Sequence, residues 1–277
     1  MTGTTTAAFQ GIQGAFSEDA AIHFFGTAET LPCSSFKDVF EVVLSGAVEY
    51  GVIPIENSFA GSINETYDLL LHYPLTIYGE VKLRVHHNLV ALPGTTPDTI
   101  KTVYSHPQAL AQCEEFLDTL NVETMPLYDT AGSAKKIKED GNGSSAAIAS
   151  ERAAQIYGLT ILASHIESNE FNYTRFCVIS KNNPEPAAKN KTSLVFAAKN
   201  IPGALYHILG IFATRNINLI KLESRPSKDK PWTYVFYVDF EGHKNDAICR
   251  EALAELDDMV SFVKILGSYP VTETESD

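Results

Sequence analysis

The chain has 277 residues, 44% of them hydrophobic and 20% charged, which suits two folded domains with sizeable cores rather than a disordered or fibrous protein. Its formal charge of −13 comes without any Lys/Arg run, so nucleic acid is not an expected partner, and an anionic ligand has to be held locally, by an Arg or by backbone N–H groups at helix starts. No apolar run reaches membrane-spanning length, so no membrane partner is expected either.

Residues 9–17 read as a short strand running into a glycine-rich turn. Ser17 is expected as a helix N-cap, Glu18 and Asp19 as its first turn and Gly26 as its stop. Gly11 and Gly14 make half of a dinucleotide fingerprint, and equally let the backbone approach a small anion. Ser35 opens a second helix with a stripe of Phe36, Val39, Phe40, Val43 and Ala47. Residues 51–55 form a buried strand. Glu56, Asn57 and Ser58 follow where α/β proteins place ligand groups, and Ser62 to Glu65 has the form of a capping box ahead of Tyr67, Leu70 and Leu71.

Residues 76–92 read as two strands, one with alternating apolar and polar faces. After a strand at 103–104, Ser105, His106, Pro107 and Gln108 start a helix, with Pro107 in its first position. A strand at 122–127 leads to Asp129 and Thr130, which cap a helix over 131–139. A buried strand at 146–149, a helix at 151–157 closed by Gly158, and a strand at 159–163 follow. In the stretch 169–176 a polar loop becomes an apolar strand. There Thr174 offers a hydroxyl that both donates and accepts, and Arg175 offers a planar fork suited to a carboxylate. These polar clusters all fall at strand ends; converging, they line one cleft between two α/β subdomains.

Residues 182–191 have the composition of a linker, which divides the chain into domains 1–181 and 192–277. Beyond it come a strand (193–197), a helix (203–214), a strand (219–223), a turn around 228–231, a strand (233–240), a helix (247–256, with Ile248, Ala252 and Leu256 on one face) and a strand (260–266). The order βαββαβ is ferredoxin-like, and the open face of such a sheet invites a second copy. Residues 271–277 read as a loose acidic tail. Cys33, Cys113, Cys177 and Cys249 lack metal or redox spacing and sit among apolar residues, so buried inert thiols in a reducing cytoplasm are expected. The N-terminus has no secretory pattern, which leaves the sequon at Asn172 without consequence.

Six segments resemble the prephenate dehydratase family with a C-terminal ACT regulatory domain. They are Pro54-Ile55-Glu56-Asn57-Ser58, Ser105-His106-Pro107-Gln108-Ala109-Leu110, Asp129-Thr130-Ala131-Gly132-Ser133-Ala134 and Thr174-Arg175-Phe176, then Gly203-Ala204-Leu205 and Glu223-Ser224-Arg225-Pro226. The resemblance implies a two-subdomain, periplasmic-binding-protein-like α/β catalytic domain followed by an α+β ferredoxin-like ACT domain. It implies conversion of prephenate to phenylpyruvate, carbon dioxide and water, with no cofactor and no metal. Catalysis falls to Thr174, Arg175 and Phe176, and substrate binding to Glu56, Asn57, Ser58, Ser105, His106, Gln108, Thr130 and Asn172. Within that frame Arg175 clamps a carboxylate, Thr174 hydrogen-bonds the departing hydroxyl and Phe176 walls the group that leaves as carbon dioxide. L-phenylalanine as feedback effector is implied at Asn200, Gly203, Ala204, Leu205, Asn218, Leu219, Glu223 and Ser224, between the ACT domains of a homodimer or homotetramer. Arogenate dehydratase, which acts on the transaminated substrate, is the near alternative, and a non-catalytic amino-acid sensor the distant one.

Overall fold

The computed structural model describes residues 5–227 and 234–272. Contacts divide the chain into two units, Met1–Thr66 with Val81–Cys177, and Tyr67–Glu80 with Val178–Asp277. Residues 67–80, which the sequence places in the first domain, thus cluster with the second unit.

The elements up to residue 180 are β1 (Thr6–Gln10), α1 (Phe16–Phe25), β2 (Glu29–Cys33), α2 (Phe36–Ser45), β3 (Tyr50–Asn57), β4 (Gly61–Ser62), α3 (Asn64–His72), β5 (Thr76–Arg84), β6 (Asn88–Ala91), β7 (Thr102–Ser105), α4 (Pro107–Gln112), α5 (Glu114–Leu120), β8 (Glu123–Pro126), α6 (Thr130–Asp140), β9 (Ser145–Ala149), α7 (Glu151–Tyr157), β10 (Thr160–Ala163) and β11 (Tyr173–Ser180). They build two sheets, ordered β2-β1-β3-β11-β5 (with β4 on β3) and β10-β6-β9-β7-β8. The chain passes from the first sheet to the second between β5 and β6, and returns between β10 and β11. The second sheet is buried on both faces. Val90, Ala147 and Ala149 pack towards α6 and α7, and Leu89, Ala91, Ala146 and Ile148 towards α4 and α5. This explains why β9 reads as an unbroken apolar run.

Helix caps follow local chemistry. Ser35 accepts the Asp38 N–H and Asp129 accepts the Gly132 N–H. Two expected caps are displaced. α1 starts two residues early, with Ala15 as its N-cap, so Ser17 lies inside it, and Glu18 reaches back to the Gly14 N–H at 2.7 Å. Ser62 pairs with Glu56 in β4, and α3 starts only at Asn64. Gly14 has φ +90°, and a Cβ there would press on the backbone of Ala153, so glycine is required for that turn.

The second unit contributes β12 (Asn190–Ala198), α8 (Ala204–Ala213), β13 (Leu219–Pro226), β14 (Tyr234–Glu241), α9 (Ala247–Met259) and β15 (Val260–Pro270), in the expected βαββαβ order with sheet order β13-β14-β12-β15. The linker is shorter than its composition suggested, because Asn190 and Lys191 already belong to β12. Leu194, Phe196, Val238 and Phe240 pack against Ile208, Ile211, Phe212, Cys249, Ala252 and Leu256. Ile248, expected on that stripe, is 47% exposed; Cys249 takes its place. The other sheet face, expected to be open, meets residues 67–80 of the same chain. Tyr237 Oη donates to the Tyr67 carbonyl at 3.1 Å, and Lys264 Nζ donates to the carbonyls of Leu70, Leu71 and Tyr73 at 2.7–2.9 Å, closing the C-terminal end of α3. The expected turn at 228–231 and residues 273–277 of the expected tail lie outside the described residues. Val271 and Thr272 are tied to Lys189 and Glu80.

Candidate active site

Residues from both sheets of the first unit line a cavity of about 570 Å³, within the range that takes small organic ligands. Helix starts converge on it: Phe16 and Ser17 of α1, Ser35 and Phe36 at α2, His106 to Ala109 at α4, and Asp129 and Thr130 at α6. At three of them a side chain caps the first turn; His106 Nδ1, for instance, accepts the Gln108 N–H at 3.2 Å. α1, a ten-residue helix, has no side-chain cap. Its first amides are the N–H groups best placed for a carboxylate in an otherwise acidic chain. Burial pushes the His106 imidazole below its ordinary pKa, with Asp129 pulling the other way, so it serves as a neutral acceptor.

Strand alternation decides what β11 presents. Thr174 and Phe176 share a face, are nearly buried and line the cavity. Arg175 points to the opposite face, pairs with Glu56 Oε2 at 3.3 Å and is not among the lining residues. Glu56, its partner, is likewise absent from the lining. Ser58 and Ser105 also serve structure. Ser58 Oγ donates to the Phe171 carbonyl at 2.5 Å, fixing the entry to β11, and Ser105 Oγ donates to Ile148 at 2.8 Å inside the second sheet.

Asn57, Asn172, His106, Gln108 and Thr130 do line the cavity. Asn57 Oδ1 accepts the N–H groups of Phe59 and Ala60 at 3.0 and 2.9 Å, so its Nδ2 must face inward. There it donates to Thr174 Oγ1 at 3.0 Å and to Asn172 Oδ1 at 2.9 Å. Thr174 thereby accepts from Asn57 and keeps its own hydrogen for a ligand. Asn172 Nδ2 in turn donates to Gln112 Oε1 at 3.2 Å. Gln112 sits one turn after Gln108 on the same helix face, a spacing that could have flagged it. His87 and Glu65 line the cavity as well; Glu65 is marked in the sequence only as the end of the capping-box pattern, and His87 carries no motif signal.

The two chain crossings between the sheets are laced together next to this cavity. Val85 N–H donates to the Asn172 carbonyl at 2.7 Å, His87 N–H to Glu167 Oε2 at 2.8 Å, and Ile166 N–H to the His87 carbonyl at 2.9 Å. His86, His165 and Glu167 bring possible ligand atoms within 4.8 Å of one another. The two imidazoles stack at 4.0 Å, however, and both Glu167 oxygens are taken, by His86 Nδ1 and the His87 N–H, which gives the cluster the role of a clasp.

In the second unit Gly203 adopts φ +80° as the N-cap of α8, with Ala204 and Leu205 in its first turn. Asn218 and Leu219 line a surface groove with Leu209, Ile217, Ile220 and Leu222 that does not include residues 203–205. Glu223 pairs with Lys221 at 3.1 Å, and Asn200 and Ser224 are exposed.

A prephenate dehydratase family model matches residues 7–184 and an ACT domain model residues 192–258. The chain belongs to the prephenate dehydratase family, whose members are hydro-lyases, and carries an ACT domain. It is 44% identical over 278 residues to arogenate dehydratase/prephenate dehydratase 2, chloroplastic, of Arabidopsis thaliana, covering 96% of this chain and 73% of that protein. The crystal structure of prephenate dehydratase from Arthrobacter aurescens in complex with L-Phe superposes with a TM-score of 0.88 at 34% identity, covering 96% of this chain and 90% of that one. A solved structure described as GqqA, a quorum quenching acylase, superposes with a TM-score of 0.89 at 35% identity over 96% of this chain and 98% of that one. The family's two-subdomain, periplasmic-binding-protein-like fold with a four-stranded ACT sheet is the fold found here. Among the described residues no helix is long and apolar enough to cross a membrane.

Proposed function

We propose that the cavity converts prephenate to phenylpyruvate, carbon dioxide and water. The observation that carries this reading is the orientation of Thr174. Its oxygen is occupied by Asn57, so its hydrogen is directed to a ligand. In the reaction the bond to the ring carboxylate breaks and its electron pair enters the ring. The C–O bond to the ring hydroxyl breaks, and the oxygen leaves with the electron pair of that C–O bond, becoming water on taking a proton from solvent. A hydrogen bond from Thr174 to that oxygen strengthens as charge grows on it, which is where binding energy accelerates a reaction. Phe176 offers the carboxylate that loses its charge an apolar wall, and the uncapped start of α1 offers its amides to the side-chain carboxylate.

Residues 1–181 carry this activity in our reading and 192–277 its control. L-Phenylalanine is the effector, an assignment supported by the L-Phe complex of the Arthrobacter aurescens relative and by the left-handed turn at Gly203. Ile220 and Leu222, 45% and 44% exposed on the edge strand β13, support pairing of ACT domains in a homodimer or homotetramer. Four buried free thiols suit a reducing, cytoplasmic setting. An acylase reading of the cavity is disfavoured, because the partner of Thr174 Oγ1 is an amide and not a base that would activate a nucleophile.

The test is to incubate the purified protein with prephenate and with arogenate, following phenylpyruvate by its ultraviolet absorbance and phenylalanine by chromatography, with and without added L-phenylalanine. Turnover of prephenate, suppressed by L-phenylalanine, is expected. Turnover of arogenate alone would reassign the substrate, and turnover of neither would end the dehydratase reading.

A further inference from the structure

The amide chain that orients Thr174 has a second end, at His87. The two backbone N–H groups of Phe59 and Ala60 set the Asn57 amide, Asn57 sets Asn172, and Asn172 donates to Gln112 Oε1. That oxygen also lies 2.8 Å from His87 Nε2. Since it can only accept, Nε2 must carry the hydrogen and Nδ1 must be the bare nitrogen. His87 is only 3% exposed, its ring meets Phe16 edge-on at 5.8 Å, and it lines the cavity. Nδ1 has no hydrogen-bond partner among the described residues. Burial pushes the imidazole below its ordinary pKa, which keeps Nδ1 an acceptor at neutral pH. A buried acceptor without a protein partner is costly unless something else supplies the donor.

We propose that His87 Nδ1 is a substrate-binding acceptor, taking a hydrogen-bond donor of the molecule in the cavity. It rests on the dehydratase reading and adds to it a second polar contact, opposite in sense to that of Thr174. Prephenate has one suitable donor, its ring hydroxyl. Arogenate has that hydroxyl and a side-chain ammonium. A pyruvyl carbonyl cannot use Nδ1 at all, so His87 can also bear on the choice between the two substrates.

Two substitutions separate the two ring nitrogens. His87→Asn places a carbonyl oxygen where Nδ1 stands but gives up the bond to Gln112. His87→Gln keeps an amide N–H where Nε2 stands but gives up the acceptor. The full-length proteins are compared in KM and kcat on both substrates, with Tm measured in parallel. His87→Gln should raise KM about tenfold with kcat within about threefold of wild type, while His87→Asn recovers most of the affinity. A KM rise on both substrates identifies the hydroxyl as the donor; a rise on arogenate alone identifies the ammonium. If His87→Gln is neutral, if the order of the two variants is reversed, or if both lose affinity equally in step with Tm, His87 only holds Gln112 and the proposal is overturned. A wild-type protein inactive on both substrates removes the dehydratase reading and this proposal together, an outcome distinct from an active wild type with an indifferent His87→Gln.

Discussion

Around the cavity Asn57, Asn172, Gln112 and His87 satisfy one another as neutral groups over 2.8–3.2 Å, whereas on the sheet of the second unit Lys191 meets Glu80 and Asp239 as an ion, at 2.5 and 4.0 Å. The two solutions do different work. An amide has a donor end and an acceptor end, so a chain of amides transmits direction, and one fixed end decides which atom carries hydrogen at the other. A buried ion cluster carries no such sense of direction. It holds a segment in register, here residues 67–80 against β12 and β14, and fails when a partner is removed.

The largest effect should come from breaking the sense of the neutral chain. Thr174→Ala removes the donor and should lower kcat by about 10²–10³-fold with little change in KM, because the hydroxyl acts mainly on the developing charge. Thr174→Ser should keep most of the rate. Asn57→Asp is the sharper probe. Its carboxylate still accepts from Phe59 and Ala60, but it can no longer donate to Thr174, whose hydroxyl turns towards it and away from the substrate. A fall in kcat of about 10²-fold in a protein that still folds is expected. A kcat near wild type for Asn57→Asp would show that the chain does not set the Thr174 hydrogen.

How much of this was legible in the sequence follows from what kind of rule each feature obeys. Helix caps at Ser35, Asp129 and Gly158 are local and were readable. So were the βαββαβ order and the placing of Asn57, His106, Gln108, Thr130, Asn172 and Thr174 at strand or helix ends. The motif Thr174-Arg175-Phe176 does not show that its members face different ways; strand alternation puts Thr174 and Phe176 on the cavity side and Arg175 beside Glu56. His87 was invisible, since its role depends on Gln112 and Asn172, 25 and 85 residues away, and no local pattern announces a crossing between sheets. The covered face of the ACT sheet was missed for a related reason. A segment that the linker composition assigns to one domain clusters with the other.

In the second unit the matching test is Lys191→Met. It removes the cation between Glu80, 1% exposed, and Asp239, 6% exposed, and should cost about 3 kcal/mol in urea unfolding. Glu80→Gln added to Lys191→Met should restore at least half of that, because the worst uncompensated charge is gone. Folded protein of either kind should keep the wild-type KM for substrate, since neither residue lines the cavity. If Lys191→Met is harmless, the cluster is not what fixes the segment to the sheet.

The smallest effect tests an ionic site within the first unit. Glu18 is well served there, accepting from Gly14 N–H, Thr30 Oγ1 and Arg152 Nε at 2.7, 2.8 and 3.2 Å. Asp19 shares the same guanidinium at 3.4 Å, and burial, opposed by Arg152 and reinforced by Glu18, lifts its carboxyl to about 7. That value is above the ordinary one, so folding favours the protonated acid. The associated stability is complete below about pH 4 and is lost as pH rises through 7. Asp19→Asn mimics the protonated acid and should change stability little at pH 4 while raising it at pH 8. Water still reaches the carboxyl, whose side chain is 26% exposed, so a gain of about 1–2 kcal/mol is expected rather than the full value of the shift. Thermal unfolding of wild type and variant at the two pH values measures it. A loss at pH 8 would mean that the attraction of Arg152 outweighs burial and that Asp19 is an ordinary ion-pair partner. A gain confined to pH 8 would mark it as a carboxylate that the fold tolerates at a cost, in contrast to Glu18 one residue before it.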